Sequence, residues 1–238
     1  MVTVVSSPSP ASTATAASVI DRVRSQLIDT AADQRWTDEE LLRWLSDGQR
    51  SVVAFSAGAS SITAVAQLDS GTRQYLPSNA HMLLTIVRNV LPTSDPGRAC
   101  RIVSREVIDA QDPYWHTATA QTTVYNYIFD PQEPKKFYVY PPNTGAGLVE
   151  LVYAVLPPEL TSLNDPLSVQ ELYQTALVDY VMFRAHQKDS DFAAGQAVAA
   201  QYLQLFLAYM GQGEQSQLQS NPNLQLMPPD AGTRGSAK

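Results

Sequence analysis

His81, His116 and His186 are the side chains of this sequence best suited to holding a metal or moving a proton, and they lie far apart. A zinc site needs clustered His, Cys or carboxylate ligands, and no second His or Cys stands three or four residues from any of them. The pattern predicts no metal centre. His186, near the end of a helical stretch, reads as a residue whose ring meets the last helix carbonyls. Cys100 is the only cysteine, which excludes an intrachain disulfide and a thiolate cluster. A nucleophilic thiol needs a neighbouring base; in the strand-like run CRIV, Cys100 reads as a buried structural thiol. Glu106 and Asp109 come closest to glycosidase chemistry, but such a pair must flank a scissile bond. Three residues apart in one helical turn, they read as capping or solvated groups. The patterns GxSxG, GxxxxGK[ST] and GxGxxG do not occur, so hydrolase, P-loop and dinucleotide chemistry have no support. The expectation is a protein without catalytic residues or cofactors.

The aromatics pose a second question. Trp36, Trp44, Trp115 and eleven tyrosines can stack on single-stranded nucleic acid when basic residues are interleaved with them. Lys135-Lys136 is the only adjacent basic pair, and a solvated loop explains it. Core and interface burial suits the rings better, because Tyr and Trp join an apolar body to a hydrogen-bonding tip. The formal net charge of −7 also argues against a phosphate-gripping surface, which runs on Lys and Arg. Charged residues make up 16% of the chain, below the usual quarter or so, as in a subunit that hides its surface against partners.

The elements that position these residues fall into three blocks. Residues 1–17 are low-complexity and read as an extended arm; they lack the pattern of a signal peptide. No run reaches the roughly 18 apolar residues of a membrane span, so no membrane association is expected. A first helix opens with Ser18 as N-cap and carries Ile20, Val23, Leu27 and Ile28 on one stripe. Residues 35–55 form a second, with Thr37 and Glu40 spaced as a capping box and Leu41, Leu42, Trp44, Leu45, Val52 and Phe55 on its apolar side. Residues 60–160 are β-rich: SITAVAQL, HMLLTIVRNV, ACRIVSRE, TVYNYIFD, KKFYVYPP and LVELVYAVL are the strand candidates. The turn PPNTGAG predicts that the last two pair as a hairpin. EVIDAQDPYWHT holds a helical turn stopped before Pro113.

Helix returns over residues 168–210. Ser168 and Glu171 are spaced as a second capping box. Leu172, Tyr173, Ala176, Leu177, Tyr180 and Val181 share a stripe, and a turn at Lys188–Ser190 leads to a helix carrying Phe192, Ala199, Tyr202, Leu203, Phe206 and Tyr209. Gly211 and Gly213 are expected to end it, giving an antiparallel helical hairpin. Residues 211–238 read as a polar tail, disordered when free, with Leu218, Leu224, Leu226 and Met227 as spaced hydrophobes. The whole is an α+β protein with a helical body, a central β-rich segment and extended arms at both ends.

The ordered series RWTDEELLRWLSDGQRSVV, GTRQYLP, VRNV, IDAQDPYWH, FYVYPP, VELVYAVLPPEL and YQTALVDYVMFRAHQKDSDFA resembles the head-to-tail adaptor (connector) proteins of tailed bacteriophages, the short-tailed ones especially. The likeness covers about residues 18–210, and ALVDYVMFRAHQKDSDFA is its most distinctive part. It implies a virion protein, made in the host cytoplasm, that forms a dodecameric ring beneath the portal, bridges it to a tail tube or nozzle protein, and lets double-stranded DNA pass unbound. It places Tyr173, Tyr180, Phe183 and Arg184 in the helical body, with Tyr202 and Phe206 packing beside them, and Leu218, Leu224, Leu226 and Met227 against the portal. The rival expectations are another virion ring component such as a tail-tube or head-completion protein, a virion cell-wall hydrolase, and a monomeric binding protein.

Overall fold

The computed structural model describes residues 3–4, 14–29, 34–93, 95–189 and 193–220. Most of the expected N-terminal arm, Phe192, Leu224, Leu226 and Met227 lie outside these. The chain is α+β, as its two periodicities require.

Helix α1 (Ala16–Leu27) takes Thr15 as its N-cap, not Ser18. Ser18 lies inside the first turn and its hydroxyl donates to the Thr15 carbonyl at 2.7 Å, so it serves the cap from within. Val19, Ile20 and Val23 are buried, but Ile28 leaves the expected stripe. As C-cap it turns left-handed, with φ of 56°, and points into solvent. Helix α2 (Asp38–Phe55) starts as its capping residues dictate: the Glu40 N–H donates to Thr37 Oγ1 at 3.2 Å. A buried ion pair joins the end of α1 to the approach to α2. Arg24 Nη1 donates to Asp29 Oδ2 at 2.8 Å and Nη2 to the Trp36 carbonyl at 3.0 Å, while Asp29 Oδ1 accepts the Arg35 N–H at 2.8 Å.

A 3-10 turn (Ala57–Ser60) then enters a β-sandwich. Its first sheet has the order β1-β2-β9-β4-β5, built from β1 (Thr3–Val4), β2 (Ser61–Gln67), β4 (Ala80–Val90), β5 (Pro96–Ala99) and β9 (Leu148–Val155). The second has the order β3-β8-β7-β6, built from β3 (Ser70–Tyr75), β6 (Arg101–Ile102), β7 (Asn126–Phe129) and β8 (Lys136–Thr144). Ala64, Ala66, Leu83, Ile86, Val149, Leu151 and Tyr153 of one sheet meet Tyr127, Phe137 and Val139 of the other in a single core. Alternate residues of β2, β8 and β9 point inward, the period-two pattern that the sequence displays.

The expected β8–β9 hairpin does not form, because the two strands belong to different sheets. The buried Asn143 side chain turns the chain between them, accepting the Gly145 and Gly147 N–H groups at 2.8 and 3.1 Å and donating to the Thr122 carbonyl at 3.1 Å. Gly145 has φ of 92°, and a Cβ on Gly147 would run into Asn143 and Thr122, so the turn needs both glycines. The segment GTRQY, which alternation does not mark as a strand, pairs as β3 against β8. ACRIVSRE is not one strand either. Cys100 separates β5 from β6, and helix α3 (Arg105–Gln111) follows. TVYNYIFD is strand only from Asn126.

Residues 157–170 return to the helices without regular structure. Ser46 Oγ accepts the Leu160 N–H at 2.9 Å and Gln49 Oε1 accepts the Ser168 N–H at 2.7 Å, both from α2. The expected Ser168–Glu171 box is replaced by this contact and by a 3-10 turn (Glu171–Tyr173) that leads into α4 (Gln174–Lys188). Helix α5 (Ala193–Ser220) runs straight through Gly211 and Gly213, against the expected stop. Residues 211–220 of the expected tail are therefore helix. Leu172 and Phe55, both placed on apolar stripes by spacing, are 61% and 50% exposed at the ends of their helices.

Gln49 is fully buried, and its Nε2 has no hydrogen-bond partner. Its Oε1 is the atom that reaches the Ser168 N–H. Gln49→Ala strands the Ser168 N–H and is expected to cost about 1–3 kcal/mol in urea denaturation; an unchanged midpoint would show that the contact holds nothing.

Candidate functional site

The three histidines stay apart in space and have separate duties. His116 stacks on Trp115 at 3.7 Å between ring centres, and its Nδ1 lies 2.9 Å from Thr72 Oγ1. His186 does not turn to the helix carbonyls; it stacks nearly parallel on Tyr202 at 5.6 Å. His81 is half-buried on β4. Among the described residues, no three of His, Cys, Asp and Glu gather where they could hold a metal ion. Asp109 is occupied by structure, accepting from Trp115 Nε1 at 2.8 Å and from Arg105 Nε at 3.2 Å. Cys100 is shielded, and burial pushes its thiol up to about 11. At neutral pH it is protonated and a poor nucleophile.

Tyr173, Tyr180, Phe183, Arg184, Tyr202 and Phe206 lie on the turn and the two helices that end the described chain. Tyr173 is buried, with its hydroxyl 3.4 Å from Ser56 Oγ. Phe206 is buried too, edge-on to Tyr180 at 5.3 Å and to Phe55 at 6.1 Å. Phe183 meets Tyr180 at 6.0 Å. Tyr180, Phe183, Arg184 and Tyr202 are half-buried. These contacts pair the end of α4 with the start of α5, and the reverse: Tyr202 lies on His186, and the Tyr209 hydroxyl donates to the Leu172 carbonyl at 2.5 Å. The two helices are antiparallel neighbours. Leu218 lies on α5.

The segment that ends α4 is an anchor as well as a turn. Lys188 pairs with Glu40 and Arg35 with Asp189. The Lys188 ammonium and the Arg35 guanidinium lie 5.3 and 5.2 Å from the centre of the Trp36 ring. Trp36 in turn meets Trp44 edge-on at 5.7 Å. Lys188 holds the Glu40 carboxyl below its ordinary range, partly against desolvation. The N-terminus of α2 is thereby tied to the far end of α4.

The remaining surface of α5 is the feature that spacing misses. Residues 193–212 contain no Asp, Glu, Lys or Arg. Ala197, Ala200, Gln204, Ala208 and Gly211 are exposed along its outer side, with Leu205 and Leu207 exposed on either flank. The exposed sides of α1 and α2 carry Asp21, Arg22, Asp38, Glu39 and Arg43. A count of charges per helix, rather than an apolar stripe, is the signal that finds this face.

The model of the SU10 adaptor protein family matches residues 14–226. The chain belongs to that family. It is a family of phage head–tail adaptors, so the protein is a structural virion component of the head–tail junction. The match begins where α1 is capped and runs past the end of α5. It therefore takes in Leu218, Leu224 and Leu226, beyond the residue 210 at which the sequence resemblance stops. No curated protein matches the chain. No helix among the described residues is long and apolar enough to cross a membrane.

Asp179, on α4 and half-buried, offers a handle on this body. Burial raises its carboxyl above the ordinary 3.8, with Arg22 partly opposing. A carboxyl raised in the folded state binds more protons folded than unfolded, so stability falls as pH climbs from 3.8 through the raised value. Asp179→Asn removes that loss. In denaturation curves from about pH 3 to about pH 7, the variant should gain on the wild type as pH rises; a constant difference would refute the assignment.

Proposed function

We propose that this chain, like the adaptors of short-tailed phages that it resembles, assembles into a twelve-membered ring that joins the portal to a tail tube or nozzle protein. The genome passes through its lumen. Membership of the adaptor family over residues 14–226 carries the reading. The charge distribution supports it. Residues 61–156 hold seven Lys and Arg against eight Asp and Glu, whereas residues 14–60 and 157–220 hold seven against fourteen. The helices thus contain the acidity, and neither half has the basic excess that would trap passing phosphates. Adjacent subunits in a closed ring meet through unlike faces.

The portal contact is assigned to the C-terminal segment, with Leu218, Leu224, Leu226 and Met227 as its apolar anchors. A cut after Met210 spares Phe206 and Met210, which are buried on α5, and the Tyr209 hydrogen bond to Leu172. A chain lacking residues 211–238 should therefore keep the melting curve of the full chain but lose binding to isolated portal rings. A shortened protein that binds portals normally would remove the tail from this role.

A further inference from the structure

A strand at the edge of a sheet offers a row of backbone donors and acceptors, and proteins guard such edges with charge, proline or short strands. Among the described residues, three edges of the sandwich carry these guards. Strand β5 has Pro96 and Arg98, β6 is two residues long and includes Arg101, and β3 holds Arg73. The fourth edge is formed by β2, whose sequence SITAVAQ has no charge and no proline. On one side β2 pairs with β9 over all seven of its residues. On the other side its guard is β1, in the antiparallel register Thr3↔Gln67 and Val4↔Ala66.

The segment that supplies β1 is made for strand pairing. Val2, Thr3, Val4 and Val5 are four β-branched residues in a row, the type that fits a pleated sheet. Its link to the helical body has a different composition. Residues 5–13, VSSPSPAST, stand between β1 and Ala14, whose carbonyl accepts the Leu167 N–H at 2.9 Å. Two prolines in so small and uncharged a run favour extended chain at about 3.1 Å per residue. Such a link can span about 30 Å, roughly the diameter of a small domain.

Within one chain the pairing is weak. Two residue pairs gain little against the entropy of ordering the strand and its link. The same backbone groups meet whichever copy supplies the strand, so exchange between copies loses no described contact. Copies held side by side also present each strand to the next edge at high effective concentration. An unguarded edge, a strand that fits it and a link long enough to cross to a neighbour are the parts that strand exchange requires.

We infer that in the assembled protein β1 of one copy pairs along the β2 edge of the next. The inference rests on the adaptor reading and names a contact through which its copies are joined. Strand and edge are unlike surfaces, so each copy gives one strand and receives one. Such a contact runs in a single direction and closes when the rotation divides a full circle. Main-chain hydrogen bonds supply its strength, which suits an edge that has neither charges to pair nor a large apolar area to bury. The helical body and the other eight strands stay as they are in the single chain.

Cross-linking across the pairing tests this, because Thr3 and Gln67 stand opposite each other in the register. Two full-length proteins, Thr3→Cys and Gln67→Cys, each also carrying Cys100→Ser, are co-expressed, bound to isolated portal rings and treated with a short bismaleimide. Sedimentation of the portal complex counts the bound copies separately. The co-expressed pair should give covalent dimers that neither protein gives alone, since such a link can form only between copies. A single chain carrying both cysteines should give a ladder of linked copies rather than a closed monomer. A doubly substituted chain that links only within itself, or full rings in which positions 3 and 67 never link, would overturn the exchange and leave the adaptor reading standing. Portal rings that bind no copies would overturn both.

Discussion

Residues 157–170 carry the chain from the last strand of the sandwich back to the helices without forming helix or strand, so each backbone polar group must find its own partner. Those partners come from every element around them. Ser46 and Gln49 of α2 take the N–H groups of Leu160 and Ser168. The carbonyls of Leu163 and Asp165 accept the first two N–H groups of α1, at 2.8 and 2.9 Å. Leu167 N–H donates to the Ala14 carbonyl and Gln170 N–H to that of Ala59. The strap thereby caps α1, crosses α2, touches the turn into the sandwich and delivers the chain to α4. Leu160, Leu167 and Val169 bury their side chains in the helical core as it passes. Helices separated by about a hundred residues of β-structure become one body through this crossing.

That body has one face finished and one left open. Arg24 and Asp29 lock α1 to α2 from inside, and the cations around Trp36 lock α2 to the end of α4. Helix α5 then lies on α4 through an aromatic seam from Tyr180 to Phe206. Helix α5 is longer than the helix beneath it, and its exposed residues up to Gln212 include Ala197, Ala200, Gln201 and Gln204 with no charged side chain. Membership of a head–tail adaptor family gives that geometry a context in the virion.

Much of this was legible in the sequence where one local signal governs the outcome. The Thr37–Glu40 spacing starts α2 correctly, and the short β-branched and aromatic runs find β2, β4, β7, β8 and β9. The misses have a common cause, which is that long-range partners overrode local cues. Ser168 lies three residues before Glu171 as a capping box demands, but Gln49 claims its N–H. PPNTGAG looks like a hairpin turn, yet Asn143 folds it into a crossing between sheets. Gly211 and Gly213 resemble a stop, and the helix continues through them. Tyr180 and Phe206 lie edge-on to each other between α4 and α5, and Tyr180, Phe183 and Tyr202 are half-buried. Tyr173 and Phe206, however, face the chain's own core, and the open face of α5 carries none of the residues that aromatic content would select.

Electron microscopy of this protein mixed with its portal tests the central claim most directly, because it shows subunit number, neighbours and docking face together. The account predicts twelve copies in a closed ring on the portal, with the segment after Met210, Leu218 included, on the portal surface. A ring whose C-terminal segments stay clear of the portal, or separate monomers bound around the portal, would contradict it.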